Sequence, residues 1–156
     1  MKRLVAIAFA MFALIAGLAT PAAAGGDSML PDGKVSLMAG PCGSSYSWIG
    51  NYKIPSSGTT YAEMNVYWSS STKRNCLTTN HAGSTYGVSL FTQARIRPSG
   101  SSWPSCPSST GCDAGFYKYR AGPVYTPAGV NMSGRCIDIN GVIDWRSRTV
   151  SRIACG

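Results

Sequence analysis

One histidine, six carboxylates and six cysteines make up the reactive side chains of this 156-residue sequence. His81 is the only conventional base for a Ser-His-Asp arrangement. The nearest approach to a nucleophile elbow, Gly83-Ser84-Thr85-Tyr86-Gly87, has threonine at the central position. His81 is therefore expected to be an exposed loop or strand-end residue. The acids are Asp27, Asp32, Glu63, Asp113, Asp138 and Asp144. A glycosidase needs two of them facing one another across a bond. Asp138 and Asp144 lie on one strand face, but they are about 20 Å apart if that strand is extended. Zinc favours thiolates or imidazoles at short paired spacings, which Cys106 and Cys112 alone do not provide. Asp138-Ile139-Asn140-Gly141 opens like a calcium loop, but no bidentate acid follows at the required distance. Asn140-Gly141 is therefore read as a bulge or tight turn. No catalytic residue, cofactor site or metal site is assigned.

The cysteines have a plainer use. Cys42, Cys76, Cys106, Cys112, Cys136 and Cys155 are an even set in a chain that starts like an exported protein, which implies disulfides. Cys106 and Cys112 bracket the loop-tip sequence PSSTG and make the natural local pair. Cys136 and Cys155 sit at the two ends of a segment that reverses near Arg146, which leaves Cys42 for Cys76. Each longer bridge contributes about 2 to 4 kcal/mol.

Residues 1–24 read as a secretory signal peptide. Lys2-Arg3 precedes an apolar run from Leu4 to Leu18, and Ala22-Ala23-Ala24 ends in a cleavage pattern. The run is shorter than a membrane span needs, and no second one follows. Residues 25–41 form a polar, flexible lead-in, and 42–156 make one domain. Removing Lys2 and Arg3 from the 14 basic residues leaves 12 against 6 acidic ones, a net charge of +6. That balance suits an anionic or polysaccharide cell-envelope polymer as partner, and the scattered charges suggest no specific nucleic acid.

The elements that must position any site are strands. Thr60, Ala62, Met64, Val66 and Trp68 alternate with Thr59, Glu63, Asn65 and Ser69 in the cleanest period-two run. Tyr46, Trp48, Tyr52 and Ile54 alternate with polar residues before it. A short strand follows around Asn75 to Asn80, and a long one carries Val88, Leu90, Ala94 and Ile96. Tyr117, Tyr119 and Ala121 belong to a strand that Gly122-Pro123 breaks or bends. Ile137, Ile139, Ile143 and Trp145 form another oily face, and Arg148 to Cys155 closes the chain. The expectation is an all-β fold: one antiparallel β-sandwich or small barrel of about 7 to 8 strands, stapled by disulfides. Aromatics on the polar side of their strands, Tyr61, Tyr67 and Phe91, then form a candidate ligand face able to stack on sugar rings. Arg95 and Arg97 extend it with positive charge.

The second half also carries a resemblance. Tyr119-Arg120-Ala121-Gly122-Pro123-Val124-Tyr125, Gly134-Arg135-Cys136-Ile137 with Gly141 beyond it, and a terminal Cys155-Gly156 resemble the spore-associated protein A family of small exported actinomycete proteins. Cys42-Gly43 with Tyr46, Gly58-Thr59 with Tyr61, and Asn75-Cys76 follow the same order, so the resemblance spans most of 42–156. It implies an extracellular or spore-surface location and supplies no catalytic residues. Arg120 stands where the family pattern has an aromatic, and the 99–115 loop with its cysteine pair looks like an insertion. The functional expectation is a non-enzymatic secreted protein of the spore or cell envelope. The alternatives are a cell-wall polysaccharide-binding module or, less favoured, a secreted inhibitor or antimicrobial using the clipped loop from Trp103 to Asp113.

Overall fold

Alternation of apolar and polar side chains produces eight strands in the computed structural model, which describes residues 39–107 and 109–155. The proposed signal peptide, and all of the lead-in except 39–41, lie outside the described residues. The strands are β1 (Ser47–Ser56), β2 (Thr59–Ser69), β3 (Arg74–His81), β4 (Leu90–Pro98), β5 (Cys112–Tyr117), β6 (Arg120–Tyr125), β7 (Ile137–Ile143) and β8 (Arg146–Ile153). A single 3-10 turn, Gly83–Thr85, interrupts them. They form two antiparallel four-stranded sheets, in the orders β1-β2-β3-β6 and β5-β4-β7-β8. The chain is an all-β sandwich.

Ala62, Met64 and Val66 of β2, Leu77 of β3, Ala94 and Ile96 of β4, and Ile137, Ile139 and Ile143 of β7 fill the space between the sheets. Burying each of the larger aliphatic side chains contributes about 1.5 to 3 kcal/mol. Gly141 sits among them in mid-strand, opposite Ala94, and not in the bulge or tight turn expected. A Cβ there would lie 2.7 Å from Met64 Cγ and Sδ and 3.0 Å from Ile54 Cδ1. The missing side chain is what lets the first sheet's residues reach the second sheet.

Two further expectations are corrected. Tyr117 and Tyr119 do not share one strand with Ala121, because the chain turns at Lys118-Tyr119 and passes from the second sheet to the first. Gly122-Pro123 instead lies inside β6, an edge strand, at a register shift against β3. Proline is tolerated at such a place because no ladder donor is needed there. Gly122 has φ +88°, and a Cβ would meet Leu77 O at 2.8 Å, so glycine is required. Its N–H donates across the seam to Asp113 Oδ2 of β5 at 2.6 Å, while Tyr117 Oη donates to Oδ1 at 2.6 Å. The Tyr117 hydroxyl is pushed up to about 12 by that hydrogen bond, by burial and by the carboxylate's charge. At the opposite seam Arg148 Nη1 of β8 donates to Lys53 O of β1 at 2.7 Å. Trp145 is likewise not on the oily face of β7: it is 76% exposed, in the turn before β8.

Cys42–Cys76, Cys106–Cys112 and Cys136–Cys155 are disulfide-bonded, as chain order suggested. They tie Cys42, at the start of the domain, to β3, close a loop onto β5, and fasten the residue before β7 to Cys155 beyond β8. Three such bridges suit an oxidising compartment.

Gly141→Val should destabilise the oxidised protein by about 3 kcal/mol through overpacking. Combined with Met64→Ala, which vacates the overlapping volume, it should cost clearly less than the sum of the single changes. Denaturant unfolding of the four proteins measures this, and strict additivity would place the close approach elsewhere.

Candidate functional site

The outer surface of the first sheet is built by β1 and β2. Trp48 pairs directly with Tyr67, whereas Gly50 pairs with Val66, so Ile49 is an extra residue in a bulge. The bulge shifts the alternation by one position. Trp48 therefore faces water, 60% exposed, instead of sharing the inner face with Tyr52 and Ile54 as its spacing suggested. Tyr67 and Trp48 lie on one outer face with Asn51, Glu63 and Asn65.

These side chains form one hydrogen-bonded group. Asn65 Oδ1 accepts from Trp48 Nε1 at 3.3 Å and from Asn51 Nδ2 at 2.8 Å, and Asn51 Nδ2 also donates to Glu63 Oε2 at 3.2 Å. The indole is thus held by its nitrogen while a ring face stays open to water. Among the described residues, the Asn65 amide hydrogens, Asn51 Oδ1 and Glu63 Oε1 make no side-chain hydrogen bond. Donors and acceptors next to a fixed aromatic ring suit neighbouring hydroxyl groups, each of which both donates and accepts. Glu63 ends this chain of hydrogen bonds, and its cross-strand partner on the same face is Lys53. Half-buried Tyr67 lies next to the disulfide-tethered segment, near Gly40.

The other expected face residues are dispersed. Tyr61 packs at the margin of the core, and its ring lies 3.9 Å from the guanidinium carbon of Arg146, which also stacks on Trp145 at 4.1 Å. Phe91 is on the outside of the second sheet, edge-to-face with Phe116 at a centroid distance of 6.0 Å. Arg95 and Arg97 are on that sheet too, under Trp103, at 5.2 and 4.1 Å from its ring centre. Arg95 Nη2 donates to Pro104 O at 2.9 Å and Arg97 Nη1 to Ser101 O at 2.6 Å. Both arginines fasten the 99–111 loop to β4, so they do not extend a face with Tyr67. Trp48 was missed because the bulge at Ile49 leaves no mark in the hydrophobic period, whereas Asn51 and Asn65 lie on the polar faces expected for them.

His81 is buried, not exposed. Nδ1 donates to Thr85 O at 2.8 Å, since a carbonyl can only accept, and Nε2 meets Thr92 Oγ1 of the opposite sheet at 2.6 Å. It is a structural link between sheets. Asp138 is structural as well. It receives Arg97 Nε and Nη2 at 3.0 Å each, Ser99 Oγ at 2.6 Å and Arg152 N at 3.0 Å. Burial alone would raise its pKa, but the Ser99 hydroxyl, the Arg152 amide and the Arg97 guanidinium together hold it below the ordinary carboxylate range. Among the described residues, no three His, Cys, Asp or Glu side chains cluster to hold a metal ion. No helix there is long and apolar enough to cross a membrane. Comparison with protein-family models, curated proteins and solved structures finds no match.

A lowered carboxylate pKa stabilises the fold above the unfolded value of about 4, and that stability is lost as pH falls through the folded pKa. Asp138→Asn should cost about 2 kcal/mol at pH 7, the scale of lost hydrogen bonds to a charged group. The gap from wild type should close on acidification below about pH 4. Urea unfolding across that range tests it, and a gap independent of pH would remove the ion pair from the account.

Proposed function

We propose that this protein is a non-enzymatic exported component of the cell or spore envelope that holds a cell-wall polysaccharide against the outer face of β1 and β2. The observation that carries this reading is Trp48: a water-exposed indole fixed through Nε1 to Asn65, beside amide and carboxylate groups with hydrogen-bonding capacity to spare. Sugar rings present apolar C–H faces to such an indole and hydroxyls to such neighbours. Three disulfides and the signal-like first 24 residues support work outside the cell, and the resemblance to the spore-associated protein A family supports an envelope or spore surface. The net positive charge adds attraction to anionic wall polymers.

Retention on purified peptidoglycan or chitin in about 0.5 M salt separates stacking from charge attraction, because exposed charges are screened there. Trp48→Ala should weaken retention at least about tenfold, whereas Phe91→Ala on the other sheet should leave it unchanged. Equal retention of Trp48→Ala and wild type, or complete release of wild type by the salt, would count against the reading.

A further inference from the structure

Six of the eight large apolar side chains exposed among the described residues gather at one end of the sandwich: Tyr86, Val88, Phe91, Phe116, Tyr119 and Trp145. They come from the link into β4, the start of β4, the end of β5, and the turns that follow β5 and β7. Backbone bonds hold these pieces together. Gly87 N donates to Lys118 O at 2.9 Å, and Asp144 N donates to Phe91 O at 2.6 Å. Phe91 pairs with Phe116 across the ladder, and Tyr86 meets Tyr119 edge-to-face at a centroid distance of 5.1 Å. Trp145 stands at the tip of the two-residue turn between Ile143 and Arg146. Phe116 and Trp145 are each 76% exposed. Apolar side chains grouped in water in this way mark a surface that another phase or molecule covers.

The charge beside these rings identifies the occupant. Lys118 and Arg120 flank Tyr119, are exposed, and make no ion pair among the described residues. The nearby carboxylates are engaged, Asp144 with Arg146 at 3.7 Å and Asp113 with Tyr117 Oη and Gly122 N. Spare amides of the kind found beside Trp48 are scarce. Gln93, the next outward residue after Phe91, gives its amide to Asn140 Oδ1 at 2.8 Å. The rings stand on separate turns, an uneven surface that a fluid interface follows more easily than a rigid partner does. Trp and Tyr settle at the headgroup level of a bilayer, and Lys and Arg beside them meet anionic headgroups. We propose that this end of the sandwich docks peripherally on an anionic lipid surface. Trp145, Phe116 and the Tyr86–Tyr119 pair enter the headgroup boundary, and Lys118 and Arg120 meet the lipid phosphates. The site is separate from the Trp48 face and does not depend on it.

Vesicle flotation tests this with the oxidised chain as export leaves it, from Gly25 onward. The vesicles are phosphatidylcholine alone, or phosphatidylcholine and phosphatidylglycerol in about equal parts. Binding should be at least about tenfold tighter to the mixed vesicles. Phe116→Ser and Trp145→Ser, both at exposed positions, should each weaken that binding about tenfold. Lys118→Ala combined with Arg120→Ala should remove the preference for the anionic lipid. Trp48→Ala should bind as the unaltered protein does, which keeps this result apart from that of the polysaccharide face. No binding to the mixed vesicles, equal binding to both kinds, or binding unchanged in both ring variants would overturn the proposal. So would a dimer in solution that the ring variants dissociate, because it would assign this end to a second copy of the chain.

Discussion

The contact between the two sheets at Gly141 is the constraint on which the remaining structure depends. With no side chain there, Met64 and Ile54 of the first sheet press directly onto β7. Sheets packed so closely leave a core of aliphatic side chains in which a polar group gains by finding a partner, although Asn75 Oδ1, Thr78 Oγ1 and Thr79 Oγ1 find none. His81 finds partners in Thr85 and Thr92 through its two ring nitrogens. The seams find them through Asp113 on one side and Arg148 on the other. Recognition chemistry is thereby directed to the outer faces and the open ends.

The two outer faces are not equivalent. On the second sheet, Arg95, Arg97 and Asp138 bind the 99–111 loop and the chain near β8, so charge that looks available in the sequence is spent on internal contacts. Trp103 stacks on both arginines and covers them. On the first sheet, the Cys42–Cys76 bridge ties the segment that opens the domain to β3, and Tyr46 packs on Tyr125 of β6. Among the described residues, this strap reaches Tyr67 of β2 at Gly40 and leaves Trp48 of β1 exposed. A planar indole and its amide neighbours lie on the outer face of β1 and β2 beside that contact.

Much of the architecture is legible in the sequence because period two is imposed by burial on one face. Ala62 to Val66 and Ile137 to Ile143 announce their strands for that reason, and the cysteines announce their staples. Features that break the period are not legible. One inserted residue, Ile49, moves Trp48 to the opposite face without altering composition. Gly122-Pro123 has the signature of a turn, yet an edge strand accommodates it because Asp113 accepts the displaced N–H. Asn140-Gly141 carries the same signature and is instead a point of close contact between sheets. Whether a glycine turns the chain or admits a neighbour depends on what lies across the core, and a single strand does not encode that. The location of His81 and the coverage of Arg95 and Arg97 are tertiary for the same reason.

The most direct test of the open-face account is nuclear magnetic resonance of the isotopically labelled, oxidised protein titrated with soluble cell-wall or chitin oligosaccharides. The account predicts shifts concentrated on the Trp48 indole N–H and on the side-chain amides of Asn51 and Asn65, with Trp103 and Phe116 unmoved. Shifts centred on the second sheet, or a spectrum unchanged at saturating sugar, would contradict it.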